Sequence, residues 1–283
     1  MKIKLITLIE NNVDSKKNLI NEHGLSIYIE AYGKKILFDT GKSNAFFKNA
    51  NSLGINLNSL DYVVLSHGHY DHGGGFRDLV KEVKNNYKLL VGKGFFNKKY
   101  EFLEDNTYKF LGVPFDEEFI TDNNIELTYI KNDIYYIDEN IMIFTNFERK
   151  NSFEYLNKKF CLKNNTGLGY YVDEFNDEIV LGIKTNEGLI LVIGCSHRGI
   201  VNILESIMKK TNMKIFKVIG GTHLVNAKND RINKTIEFLR EYSINYLYMC
   251  HCTGDNAIKK LKDEFKSSLI YNNTGNTIII KNI

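Results

Sequence analysis

Four metal-ligating side chains fall within six consecutive positions of the stretch Ser66-His67-Gly68-His69-Tyr70-Asp71-His72-Gly73-Gly74-Gly75. Imidazole nitrogens and a carboxylate together suit zinc, iron or manganese. The spacing His-x-His-x-Asp-His in a loop turns its ligands different ways, so it can serve two cations rather than one. Two neighbouring cations can acidify a water and clamp a substrate oxygen. Gly68 and the run Gly73-Gly74-Gly75 permit tight turns and relieve crowding around such ligands.

The other histidines repeat the theme. Of seven in the chain, His197, His223 and His251 also sit at the ends of apolar runs. Only His23 falls outside the pattern, and it reads as a surface or turn histidine. His67 follows Val63-Val64-Leu65, His197 follows Leu191-Val192-Ile193, His223 follows Val218-Ile219 and His251 follows Leu247-Tyr248-Met249. Asp39 follows Ile36-Leu37-Phe38 in the same way. In α/β architectures the carboxyl edge of the strands is where sites gather. Rigid strands there aim loop residues at one point. A lone histidine at a strand end is an ordinary polar residue; this many in matching contexts argue for metal. Asp39 is expected to brace a ligand histidine from behind, against a plainer role in the turn Asp39-Thr40-Gly41.

The positioning elements follow from pattern. Strands are predicted at Lys2–Ile9, 25–31, 35–38, Tyr62–Leu65 and 87–91, with helices at 44–53 and 76–85. The second half has a βα rhythm: strands at 178–184, 189–193, 214–219, Tyr246–Met249 and 277–280, helices at 200–208, 232–242 and 257–265. Between them, 92–167 is aromatic, charged and weakly periodic, with further strands at 125–130 and 141–145. It reads as an insertion that caps the site within a single domain spanning 1–283.

Composition narrows the class. The chain has 283 residues, 43% hydrophobic and 25% charged, as in an ordinary soluble globular protein. No apolar run reaches the roughly 18 residues of a membrane span. The N-terminus reads as a strand and not a signal peptide, so a cytoplasmic location is expected. A net charge of +3 is too weak to suggest nucleic-acid binding. Cys161, Cys195, Cys250 and Cys252 form no CxxC pair and read as free thiols. Three of them flank motif histidines, which leaves a thiolate ligand open.

The motifs Phe38-Asp39-Thr40-Gly41, Ser66-His67-Gly68-His69-Tyr70-Asp71-His72, Gly194-Cys195-Ser196-His197 and His251 resemble the metallo-β-lactamase-fold superfamily in order and rough spacing. The resemblance implies an α/β fold: a four-layer αββα sandwich of two mixed sheets, with the site at one edge. It assigns His67, His69 and His197 to a first metal and Asp71, His72 and His251 to a second. The implied cofactor is two divalent ions, zinc first, with iron or manganese as alternatives. Gly194-Cys195-Ser196-His197-Arg198-Gly199-Ile200-Val201-Asn202, Gly220-Gly221-Thr222-His223-Leu224 and His251-Cys252-Thr253-Gly254 are similar to the dihydropterin-synthase-related subgroup. That subgroup includes an archaeal enzyme joining a dihydropterin to a ribosylaminobenzene phosphate, and bacterial members described as metal-dependent hydrolases. Many superfamily hydrolases have an aspartate bridging the metals. Here the strand-end candidate is His223; Asp230 falls on the following helix. His223 is therefore expected to ligate one metal or face the substrate.

The expectation is a metal-dependent hydrolase for a small anionic or phosphorylated molecule. Asp71 would handle the proton and His223 would polarise a leaving group or bind an anion. Arg198, opening a helix, would receive a phosphate with the backbone N–H groups there, unless it is a solvated helix residue; Arg149 and Lys163 are weaker candidates. One alternative is transfer of a pterin to an aryl phosphate, with Phe95, Phe96, Phe102, Tyr108, Phe110 and Phe119 stacking on a flat heterocycle or forming a local core instead. A non-catalytic sensor is another. An iron redox role is disfavoured because the diiron branch would carry a carboxylate where His69 stands. The partner expected is a small molecule, with no nucleic acid or membrane; the insertion could equally serve a homodimer contact.

Overall fold

The computed structural model describes residues 2–14, 17–84, 86–164, 169–244 and 246–281. Asn85, the end of one predicted helix, and 165–167, the end of the expected insertion, lie outside them. The first part of the chain supplies β1 (Lys2–Ile9), β2 (Ser26–Ala31), β3 (Lys34–Phe38), α1 (Ala45–Ser52), β4 (Tyr62–Leu65), α2 (Tyr70–Gly73), α3 (Phe76–Glu82) and β5 (Lys88–Gly92). The middle supplies β6 (Lys99–Phe102), β7 (Tyr108–Phe110), α4 (Glu117–Asp122), β8 (Glu126–Ile130), β9 (Ile134–Tyr136), β10 (Ile141–Phe144), β11 (Phe160–Lys163) and β12 (Tyr170–Val172). The last part supplies β13 (Val180–Thr185), β14 (Gly188–Ile193), α5 (Ile200–Thr211), β15 (Ile215–Gly220), α6 (Asn229–Glu241), β16 (Tyr246–Met249), α7 (Asp255–Phe265), β17 (Leu269–Tyr271) and β18 (Thr277–Lys281).

Two seven-stranded mixed sheets face each other, ordered β18-β1-β2-β3-β4-β5-β8 and β17-β16-β15-β14-β13-β10-β9. Between them lies an apolar layer that includes Ile27, Ile36, Phe38 and Val64 of the first sheet and Ile143, Leu181, Ile190 and Val192 of the second. Strands β4 and β14 are apolar along their length because both of their faces are covered. On the outer face of the first sheet, Phe46 of α1 and Phe76 and Leu79 of α3 join the core. On the second, α5 turns Ile200, Ile203, Leu204 and Ile207 inward at helical spacing. The result is the expected αββα sandwich. In each sheet the parallel strands, β3-β4-β5 and β14-β15-β16, end at one edge.

The stretch 92–167 is not one insertion. Strand β8 extends the first sheet beside β5, and β9 and β10 extend the second beside β13. Only β6, β7, β11 and β12 form a separate four-stranded sheet. The aromatics of 92–167 singled out in the sequence largely serve the protein's own packing. Phe95 is fully buried in the first-sheet core, with Phe96 and Phe119 against it. Tyr108 stacks on Tyr170 with ring centres 3.6 Å apart, and Phe102 lies 5.1 Å from Tyr108. The Phe110 ring packs 5.3 Å from that of Tyr100. The small sheet is tied down by a buried ion triad: Lys99 Nζ of β6 lies 2.7 Å from Asp173 Oδ2 and 2.9 Å from Asp177 Oδ1.

Candidate metal centre

Each strand end delivers its residue through a sharp reversal. Asp39 (φ 58°), Ser196 (φ 62°), His223 (φ 50°) and His251 (φ 51°) all adopt the left-handed conformation just past β3, β14, β15 and β16. Such φ values are uncommon for residues with a Cβ, cost about 1–3 kcal/mol each, and cluster at functional sites. The motif after β4 turns through Gly68, whose N–H donates to Asp177 Oδ2 at 2.8 Å. A Cβ at Gly68 would lie 2.1 Å from the Phe95 carbonyl oxygen. Gly75 has a different task from relieving crowding among ligands: it lets the backbone approach the carbonyls of Thr40 and Ser43.

The histidines converge in two adjoining groups. His67, His69 and His197 have ligand atoms within 4.8 Å of one another, and His67 Nε2 is 3.1 Å from His69 Nδ1. The second group is His72, Asp71 and His251. Here His72 Nε2 lies 3.2 Å from His251 Nε2, and Asp71 Oδ2 lies 3.4 Å from His251 Nε2 and 3.8 Å from His72 Nε2. Behind them, the fully buried Asp39 carboxylate accepts from the Ser66 N–H (2.7 Å) and hydroxyl (2.8 Å) and meets His72 Nδ1 at 2.6 Å. That contact turns His72 Nε2 toward the cluster. On the other side, His251 Nδ1 lies 2.9 Å from Asn11 Oδ1.

The donor set fits divalent cations. His197 Nε2 is buried with no hydrogen-bond partner, an arrangement that is costly for a ring nitrogen unless something binds it. Burial and neighbouring histidines hold His67 and His197 well below the usual imidazole range; burial, then Lys99, does so for His69. All three therefore present the neutral ring that a metal requires. His72 behaves oppositely: burial pulls it down, but Asp39 and Asp71 outweigh that and raise it to about 9. Burial pushes Asp71 up, and the surrounding histidines reverse this and hold its carboxylate well below the usual range. The second group is thus a place where carboxylates favour positive charge.

These features place the chain among known proteins. The metallo-beta-lactamase superfamily profile matches residues 20–181. The chain belongs to that superfamily. It is 31% identical over 289 residues to the Methanocaldococcus jannaschii 7,8-dihydropterin-6-methyl-4-(beta-D-ribofuranosyl)-aminobenzene-5'-phosphate synthase, covering 93% of this chain and 92% of the relative. An uncharacterised protein of the same archaeon is 30% identical over 97% of this chain and 99% of its own. Among solved structures, a metal-dependent hydrolase of the beta-lactamase superfamily superposes with a TM-score of 0.83 at 30% identity, covering 98% of each chain.

Four expectations need correction or addition. Cys195, whose thiolate the sequence leaves open as a ligand, lies among the ligand histidines. Cys195 Sγ lies 3.1 Å from His72 Nε2 and has ligand reach to His67 and His72, to His251 and Cys252, and to His197 and His223. His223 stands beside the first group, its ring centre 4.3 Å from that of His197 and its buried Nδ1 unpartnered. Asp230 points away and pairs with Lys234 at 2.9 Å.

Arg198 does not serve the cleft. Its Nη1 donates to the Glu174 carbonyl at 2.7 Å, its Nε to the Phe147 carbonyl at 3.1 Å, and Glu178 occupies the amides of His197 and Arg198. Helix α5 is closed to a phosphate as well, because Glu154 takes the amides of Val201 and Asn202. Arg149 donates to the His197 carbonyl at 3.0 Å, and Lys163 belongs to β11 of the small sheet.

His23 is no mere turn residue. Its Nε2 lies 3.2 Å from Asp71 Oδ2 while its side chain stays 54% exposed. Finally, Phe175 lies flat on His197, ring centres 3.9 Å apart and planes within 1°. The Gly68 amide ties this neighbourhood to the ion triad. Gly68→Ala is expected to cost about 1–3 kcal/mol of stability by overpacking and to weaken metal retention. Thermal unfolding and elemental analysis matching the wild-type protein would show that the close approach at Phe95 does not matter.

Proposed function

We propose that this chain is a metal-dependent enzyme acting on a small, flat, anionic substrate. The observation that carries this is Phe160, whose ring centre lies 5.7 Å from that of His69, 5.3 Å from His197 and 5.9 Å from His223. It forms a wall of a cleft of about 710 Å³ that also takes in Tyr70, Tyr155, Lys109 and Lys159. A planar ring held on Phe160 sits directly beside the histidine cluster, and the lysines suit an anionic tail.

Divalent cations would be held by His67, His69 and His197 and by Asp71, His72 and His251, with Cys195 between the groups. When bound they would supply Lewis acidity and a water acidified toward neutrality. Phe160 orients the ring, and Asp71 holds His23 at the edge of the site through Oδ2. The half-exposed His23 offers a proton leaving the site a route to solvent. Hydrolysis is the first reading, supported by this open proton path. Transfer to an aryl acceptor is the second, supported by the archaeal synthase that shares 31% identity over 93% of this chain.

The test is to incubate zinc-, manganese- and iron-loaded protein with a phosphorylated dihydropterin and a ribosylaminobenzene phosphate, and separately with phosphodiesters and lactones. Hydrolysis predicts release of the leaving group with no condensed product by mass spectrometry. A condensed product without hydrolysis replaces the first reading by the second. Ligand binding without turnover in any arm overturns both.

A further inference from the structure

We infer that Arg231 forms a dedicated anion subsite for the substrate, opening beside His223. Arg231 belongs to the first turn of α6 and is only 8% exposed, yet its Nε has no hydrogen-bond partner. Among the described residues, no carboxylate stands within ion-pair distance of it. Glu154, whose carboxyl feels the field of Arg231, spends both oxygens on the amides of α5. Asp230, its neighbour on the helix, is turned outward to Lys234. A guanidinium cannot escape burial by losing its proton. An unpaired one is therefore a group whose partner arrives from outside.

The surroundings say what that partner is. Arg231 lines a recess of about 70 Å³ together with Asn157, Asn226, Tyr155, His197 and His223. That is ample for a small polyatomic anion, since about 10–15 Å³ of such space already admits a water. The guanidinium carbon lies 5.9 Å from the Tyr155 ring centre, so Tyr155 flanks the charge. Helix α6 has 13 residues and no side-chain cap at its N-terminus, where the partial positive charge of the helix favours an anion. A planar fork of donors matches a phosphate with two parallel hydrogen bonds. The subsite shares Phe160, His197 and His223 with the main cleft. It therefore fixes a phosphate of the substrate while the ring rests on Phe160. This deepens the proposed function and rests on it for the identity of the ligand as substrate.

Phenyl phosphate is the probe, titrated calorimetrically into the metal-loaded full chain and compared with benzyl alcohol. The wild-type protein is expected to bind the phosphate in clear preference to the alcohol. Arg231→Met should weaken phenyl phosphate roughly tenfold or more with unchanged metal content, and Arg231→Lys should fall between. If the methionine variant does not fold, Ala227→Glu sets a carboxylate in the same recess and should weaken binding comparably. Binding by a folded methionine variant within twofold of wild type overturns the subsite. So does a loss accompanied by loss of metal, or equal binding of the neutral probe. These outcomes are separate from turnover: phosphate binding through Arg231 without catalysis on any substrate would sink the enzyme and leave the subsite. Turnover with an unchanged KM in the methionine variant would do the reverse.

Discussion

Lys99→Met is expected to destabilise the protein by about 3–5 kcal/mol, because breaking a buried ion group strands the charges that remain. Lys99 is almost fully buried on β6, and burial works against its ammonium, but Asp177 and Asp173 hold it above the usual lysine range. Methionine fills similar space and leaves two buried carboxylates facing each other. In thermal unfolding the midpoint should fall by on the order of 10 °C. Adding Asp177→Asn removes one stranded charge while keeping an oxygen for the Gly68 amide, so the double variant should recover part of the loss. A fall below about 2 °C for the single variant would mean that the triad adds nothing. The effect also reaches the site. Asp177 holds the turn between His67 and His69. The Lys99 ammonium lies 5.1 Å from the Phe175 ring centre, and Phe175 lies flat on His197. Metal retention should therefore weaken along with stability.

What the sequence makes legible is whatever local chemistry forces. A short, wholly apolar run such as Val63-Val64-Leu65 reads as a strand covered on both faces, so the polar residue after it is expected at the strand edge. The same logic reaches Asp39, His197, His223 and His251, and the structure brings all of them to one region. Contacts between residues distant in sequence carry no such signal. Lys99, Asp173 and Asp177 read as ordinary charges, since 74 and 78 residues separate the lysine from its partners. His23 follows no apolar run, and only the folded chain sets it against Asp71. Strands β8, β9 and β10 look like parts of an insertion because their partners β5 and β13 lie elsewhere in the chain. Arg198 misleads for the opposite reason: a cation after a histidine at a helix start suggests anion binding, whereas Glu178 and Glu154 already fill those amides.

Cys195 stands between the two ligand groups. Its sulfur lies 3.1 Å from His72 Nε2 and within ligand reach of His67 and His197. Burial raises its thiol well above the usual range, but a cation in the cluster would reverse this, because coordinating thiols are deprotonated outright. Cys195→Ala is therefore expected to weaken retention of one metal equivalent by roughly a hundredfold or more, the upper end of what ligand-supporting residues contribute. Turnover should fall with it. Cys195→Asp should keep the metal content of the wild-type protein and shift its preference toward harder cations such as manganese, since carboxylate is harder than thiolate. Elemental analysis after dialysis against each metal reads both effects, and cobalt substitution adds a thiolate-to-metal absorption that either variant should lose. If Cys195 merely packs, alanine will cost a small amount of stability and leave stoichiometry, metal preference and the cobalt spectrum unchanged. In that case the two ligand groups share no sulfur donor, and the histidines with Asp71 are the whole of the donor set.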